Sequence, residues 1–323
     1  MNQTAKGYLL GALAAATYGM NPLFALPLYA HGMGPASVLF FRYLFAIPIL
    51  ALMLQFRRGD FRLRRRETGL LVCYGVLFAL SSLTLFESYR YMDAGIASTL
   101  LFVYPLLVAL IMAARFGERL SLSTILCLGV ALGGIALLYK GADGATLSLT
   151  GTLLVGGSAL SYAIYIVGVN RPRLQQVPTL KITFYVTLFG LLLFAAMLFG
   201  EPDSGASAGW LPGLQLPDRW YLWLNCVALG LFPTALSLLC TTAAIHCIGS
   251  TPTAILGVLE PVTALFFGVT VFGEQLTPRD LTGIVLIFAA VGWVVASGSR
   301  GHYLVRLRKL FPKLRRTRRG NPR

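Results

Sequence analysis

The sequence predicts an all-α integral membrane protein of about ten transmembrane helices, arranged as two inverted-topology repeats of five. Three observations lead there. Hydrophobic residues fill 56% of the 323 positions and charged residues 12%, with a mean hydropathy of +0.72, about half the charged share of an ordinary soluble domain. Apolar runs long enough to span a bilayer as a helix, which takes about 20 residues, recur along almost the whole chain. One segment occurs twice at a fixed separation. A soluble globular fold is excluded.

The ten expected spans are residues 7–29, 35–56, 69–89, 94–115, 122–139, 151–170, 181–200, 221–243, 251–272 and 280–297, punctuated by Gly, Pro or charge. Lys6 followed by apolar sequence and Ala12-Leu13-Ala14 imitates a secretory signal, but the apolar run continues to about Tyr29, so it is read as the first span. Connections are short; the longest, about 201–220, holds Pro202, Asp203, Ser204 and Gly205, which is turn chemistry rather than a soluble domain. Five cysteines, Cys73, Cys127, Cys226, Cys240 and Cys247, lie in or beside spans with no C-x-x-C pair, which favours free buried thiols over a disulfide or metal site. Gly7-x-x-x-Gly11 and Gly129-x-x-x-Gly133 fit close packing within the chain. They do not specify a dimer, and a homodimer stays open.

The net charge of +15 could by itself suggest nucleic acid, but the location of the charges argues otherwise. With a cytoplasmic N-terminus, 22 of the 27 basic residues fall on the cytoplasmic side, including six arginines between residues 57 and 66 and ten basic residues in 300–323. Only Arg90, Lys140, Arg219 and Arg279 fall outside, and Arg42 lies within a span. The positive-inside rule therefore predicts both termini in the cytoplasm of a plasma membrane, or of the inner membrane of a bacterium. The tail 299–323, with Tyr303, Leu307, Leu310 and Leu314 among its basic residues, is expected to lie on anionic lipid headgroups. No nucleic-acid partner is expected.

The duplicated segment is the most informative feature. Tyr104-Pro105 leads to Phe116-Gly117-Glu118, and Glu260-Pro261 leads to Phe272-Gly273-Glu274, every match at an offset of 156. The fourth and ninth spans become equivalent, five spans fill each half, and an odd number per half inverts the second half in the membrane. The expected division is 1–140, 150–298 and the tail. An offset of 144 also sets Tyr18 on Tyr162 and Asn21 on Tyr165.

On these paired motifs the chain resembles the EamA family of the drug/metabolite transporter superfamily over nearly its whole length to about residue 298. The resemblance implies a secondary transporter, commonly an exporter of amino acids or other small metabolites. It also implies a central cavity lined by spans one, three, four, six, eight and nine.

Within that frame several residues are candidates. Glu260 is an ionisable group in mid-span, expensive there unless it faces water, a partner or the bundle interior, and so a functional candidate by default. A structural Glu bonded to a neighbouring helix is the bland alternative. Pro261 and Pro105 each remove a backbone hydrogen bond and can expose a carbonyl. Tyr104, the mate of Glu260, makes one wall neutral and the other acidic, which suits an amine-bearing or zwitterionic ligand. Tyr18, Asn21, Tyr162 and Tyr165 are candidate cavity lining, against ordinary packing. Arg42 resembles an Arg found at that place in the family; it is expected to pair with carbonyls or an acid of another helix and join the halves, with direct binding of a substrate carboxylate as the alternative. Glu87, with Arg90 and Asp93 close by, is expected in a solvated interfacial cluster, with a gate as the alternative.

No G-x-x-x-x-G-K-[ST], H-E-x-x-H or G-x-S-x-G motif occurs, so neither an ATP-driven engine nor a hydrolase is indicated, and no cofactor or metal is expected. The expected function is a secondary active exporter of a small metabolite working by alternating access, with proton coupling at Glu260. A non-transporting membrane receptor or scaffold is the alternative.

Overall fold

The computed structural model describes residues 2–57, 61–63, 65–92, 94–116, 122–138, 148–200 and 213–272, with scattered positions between 278 and 293. The basic tail, Asp93, Glu118, Glu274, most of the loop 201–220 and much of the tenth expected span lie outside the described residues. Those described form helices and turns, with no β-strand.

Several spans are broken beside a proline or glycine, although Pro27 and Pro48 stand inside helices that continue past them. The first expected span is two helices, α1 (Gln3–Tyr18) and α2 (Asn21–Ala30), separated at Gly19-Met20. Pro22 stands in the first turn of α2, where its missing N–H costs nothing. Next come α3 (Pro35–Phe56) and α4 (Arg65–Ser88). The fourth span is again broken, into α5 (Ala94–Leu101) and α6 (Tyr104–Phe116). A proline ring collides with the carbonyl four residues earlier. For Pro105 that residue is Leu101, the last of α5. Then follow α7 (Leu122–Leu138), α8 (Leu149–Val169), the short α9 (Pro172–Gln175) and α10 (Thr179–Gly200).

The eighth span runs as α11 (Trp220–Leu229), a π-helical segment Gly230–Leu236 and α12 (Ser237–Ile248). Pro233 has no N–H to give the Leu229 carbonyl, and the Thr234 hydroxyl takes that acceptor instead at 2.8 Å. Gly249, at φ +86°, turns the chain into α13 (Ser250–Leu256). The ninth span breaks at Gly257-Val258 before α14 (Leu259–Phe272). Pro261 meets Gly257 as Pro105 meets Leu101, so the duplicated prolines end both upstream helices at nearly equivalent places.

Seven helical stretches, including the broken first, eighth and ninth, are long and apolar enough to cross a membrane. The fourth, fifth and tenth expected spans have shorter apolar helices, Tyr104–Arg115, Ile125–Gly134 and Leu281–Ala290, so a count of ten is an expectation rather than an observation.

Helix pairing is symmetric under exchange of the halves. α1 packs along α12 and α4 along α8, that is, the first span on the eighth and the third on the sixth. Exchanging halves turns one pair into the other. α10 packs on α3, the seventh span on the second, a pair that maps onto itself. This is consistent with a two-repeat architecture. The α1–α12 crossing is close at Gly7, where a Cβ would reach Ile248 at 2.5 Å, and Gly11 gives the same room to α13, where a Cβ would reach Leu256 at 2.5 Å. Ser237 donates across the α1–α12 crossing to the Ala14 carbonyl at 2.9 Å. Gly129 and Gly133 have open space in front of them.

Candidate functional site: a carboxyl where broken helices meet

The first, fourth and ninth spans bring their breaks together. Tyr104, first residue of α6, donates its hydroxyl to Glu260 Oε1 at 3.3 Å, and Glu260, second residue of α14, is 6% exposed. The two residues that occupy one position in the duplicated motif thus touch each other. Glu260 N–H in turn donates to the Gly257 carbonyl at 2.9 Å. A Cβ on Gly19 would strike the Glu260 carbonyl, and one on Gly257 would strike the Tyr104 hydroxyl. Only glycine lets these backbones and rings close over the carboxyl.

Aromatic rings extend from this point. Tyr104 meets Tyr162 edge to face at 4.8 Å; Tyr162 stacks on Tyr18 at 6.0 Å and on Tyr165 at 6.1 Å. Phe78 closes on Tyr165 at 5.2 Å, and the Tyr165 hydroxyl lies 3.4 Å from Thr242 Oγ1. The cluster draws on the first, third, fourth, sixth, eighth and ninth spans. Pro105 and Pro261 are buried beside it and act through the helix breaks described above.

Arg42 is fully buried. Its Nε donates to Thr234 Oγ1 at 2.5 Å and its Nη2 to the Pro233 carbonyl at 3.2 Å, both within the π segment. Its guanidinium carbon lies 5.6 Å from the Tyr18 ring, 5.9 Å from Tyr43 and 5.4 Å from Phe86, a cation held among π faces. Nη1 has no hydrogen-bond partner among the described residues, and neither do Nδ2 and Oδ1 of Asn21, which is 2% exposed. Glu87 is not in this cluster. It pairs with Arg90 at 2.9 Å, with Arg90 62% exposed, on the rim of a cavity of about 550 Å³. Such exposed pairs contribute little to stability.

Sequence reasoning missed Tyr29, Tyr43, Ser82, Phe86, Tyr89 and the Pro233-Thr234 pair. The Tyr43 hydroxyl lies 3.0 Å from Ser82 Oγ, and Tyr29 donates to the Phe86 carbonyl at 3.2 Å. Pro-Thr inside an apolar run was the one available signal, since a proline frees a carbonyl and the following hydroxyl can claim it. Among the described residues no group of His, Cys, Asp and Glu is arranged to hold a metal. All five cysteines are free.

Broken apolar helices closing over one buried carboxyl make this a multi-pass membrane protein of the transporter kind. The family model of the EamA-like transporter family matches residues 5–140 and again 149–296; the chain belongs to that family. An uncharacterized transporter of Synechocystis sp. is 28% identical over 280 residues, 82% of this chain and 79% of its own. The threonine/homoserine exporter RhtA of Escherichia coli is 27% identical over 245 residues, 76% of this chain and 77% of its own. A crystal structure with 20% identity superposes with a TM-score of 0.71, covering 92% of this chain and 98% of that one, a likeness of fold. Family and relatives point to a transporter rather than an enzyme.

Proposed function

We propose that this protein is a secondary active transporter that exports a small metabolite, such as an amino acid or a related compound, by alternating access coupled to protons at Glu260. It works in the plasma membrane, or the inner membrane of a bacterium, with both termini in the cytoplasm. The observation that carries the reading is the Tyr104–Glu260 hydrogen bond, made between the two halves where both helices are broken. A carboxyl there is reached by each half and can trade a proton for a ligand: charged, it accepts from Tyr104; protonated, it donates. The breaks at 102–103 and 257–258 give each half a place to bend around the site. The exporter name of the Escherichia coli relative supports the direction and the substrate class.

The test compares metabolites inside and outside cells that lack the protein, overproduce it, or overproduce Glu260→Gln. The expected result is a metabolite moved outward by the intact protein and retained with the variant. Normal transport by Glu260→Gln with unchanged pH dependence would remove the coupling role. No metabolite moved, with the protein verified in the membrane, would overturn transport in favour of a receptor or scaffold.

A further inference from the structure

Three buried polar groups on one side of the tyrosine cluster have hydrogen-bonding capacity that no described residue uses. They are Arg42 Nη1, the Asn21 carboxamide and the Tyr89 hydroxyl. Ser98 stands near the Tyr89 hydroxyl without closing a hydrogen bond to it. A buried donor left unpaired costs about 1–3 kcal/mol, more for a charged group, so three together need a reason.

Arg42 and Tyr89 are linked through one ring, and Asn21 shares the depth of Arg42. Asn21 lies nine residues before the end of α2 at Ala30 and Arg42 seven residues after the start of α3 at Pro35. At 1.5 Å per residue both sit about 10–14 Å below the same α2–α3 connection. Asn21 opens α2 three residues after Tyr18, the last residue of α1, and the Tyr18 ring lies 5.6 Å from the Arg42 guanidinium. Tyr89 reaches Arg42 through Phe86: the Phe86 ring is 5.4 Å from the guanidinium and 5.4 Å from the Tyr89 ring. Asn21 is besides the first residue of a helix that starts inside the apolar bundle, an end that carries partial positive charge.

We propose that Arg42, Asn21 and Tyr89 form a subsite for the carboxylate of the transported solute, leaving Glu260 to face its cationic end. The inference rests on the transporter reading above and deepens it. The subsite offers one guanidinium N–H edge and two neutral donors, which match a planar monoanion with two oxygens. A dianionic phosphate would leave charge uncompensated, because Arg42 is the one cation buried in this cluster among the described residues. The Tyr18 ring lies 5.6 Å from Arg42, and Gly19, the next residue, is packed against the Glu260 backbone. Tyr89 also borders the cavity of about 550 Å³, beside Tyr29 and below the Glu87–Arg90 rim. Of the three groups Tyr89 alone borders that cavity, with the Phe86 ring between it and Arg42.

The test uses the full chain in proteoliposomes. Counterflow is measured for the twenty L-amino acids, each beside its amide and its decarboxylated amine, with intact protein, Tyr89→Phe and Asn21→Ala. The expected result is exchange of one or more amino acids, with amide and amine at least tenfold weaker. Each variant should raise KM for the amino acid about tenfold or more, the loss of one donor to a charged group. Tyr89→Phe, which removes an unpaired hydroxyl and keeps the ring, should leave the thermal midpoint in detergent unchanged, and a structural role for that hydroxyl would lower it. Amides or amines carried as well as the parent, or variants with unchanged KM, would overturn the subsite and leave transport standing. So would export of a metabolite without a carboxylate in the cell comparison. If the intact protein moves nothing in either assay, transport itself falls, and the subsite with it.

Discussion

Tyr104 gives Glu260 its one side-chain hydrogen bond described here. Tyr104→Phe deletes that donor and keeps the ring against Tyr162. A hydrogen bond to a charged group contributes about 1.5–3 kcal/mol, so export by Tyr104→Phe should fall roughly tenfold or more at equal membrane level, read as initial efflux of whichever metabolite the intact protein moves. Equal rates would mean that Tyr104 only packs. The candidacy of Glu260 was legible because an acid in an apolar run is rare and costly. That it would meet its own repeat mate was not legible. The offset of 156 establishes equivalence of position, while contact also requires both residues to lie beside the interface between the halves. Tyr29 and Tyr89 carried no signal, because a tyrosine near a span end looks the same whether it packs, anchors at a headgroup or borders a cavity.

Among the elements, the breaks can be tested through the residues that create them. On Gly257 a methyl group would overlap the Tyr104 hydroxyl. Gly257→Ala should therefore cost about 1–3 kcal/mol through overpacking. Adding Tyr104→Phe should recover part of that loss, giving a double-variant thermal midpoint above the additive expectation. Simple additivity would place the strain elsewhere. The π segment makes a second case. Thr234 serves the Leu229 carbonyl and accepts from Arg42 Nε, so Thr234→Val strands a buried guanidinium edge and a carbonyl together, a loss of about 2–3 kcal/mol. Pro233→Ala in the same chain restores an N–H for Leu229 and should return a measurable share of the thermal midpoint. The breaks before Pro105 and Pro261 fit proline sterics, but Pro27 and Pro48 stand inside unbroken α2 and α3, so the prolines alone did not mark them in the sequence. Arg42 was expected to bond carbonyls of another helix, but its docking on the π segment depends on Pro233, whose effect on the eighth span requires the packed structure.

For the whole molecule, hydropathy registered ten apolar runs without registering where the backbone breaks. The fourth run is interrupted at Phe102-Val103, and α7 has 17 residues, so neither qualifies alone as a long apolar helix, although the tracts are there. The half-exchange pattern of helix pairs gives the runs their meaning. That the first span packs on the eighth as the sixth packs on the third is consistent with two repeats that present equivalent surfaces to each other. By the positive-inside rule, 22 basic residues in one set of loops and tails against four in the other predict one orientation, with both termini in the cytoplasm. Alkaline phosphatase, active only outside the cytoplasm, and a green fluorescent protein, bright only within it, read this directly. Fusions within residues 201–212 should give phosphatase activity and no fluorescence, while fusions within 57–66 and after residue 323 should give the reverse. The opposite pattern would invert the topology and exchange the entrance of the pathway for its exit, turning the cavity beside Tyr89 toward the cytoplasm. Activity from both reporters at one position would mean that the chain inserts both ways, and the inversion of its halves would then be repeated between two copies of the whole protein.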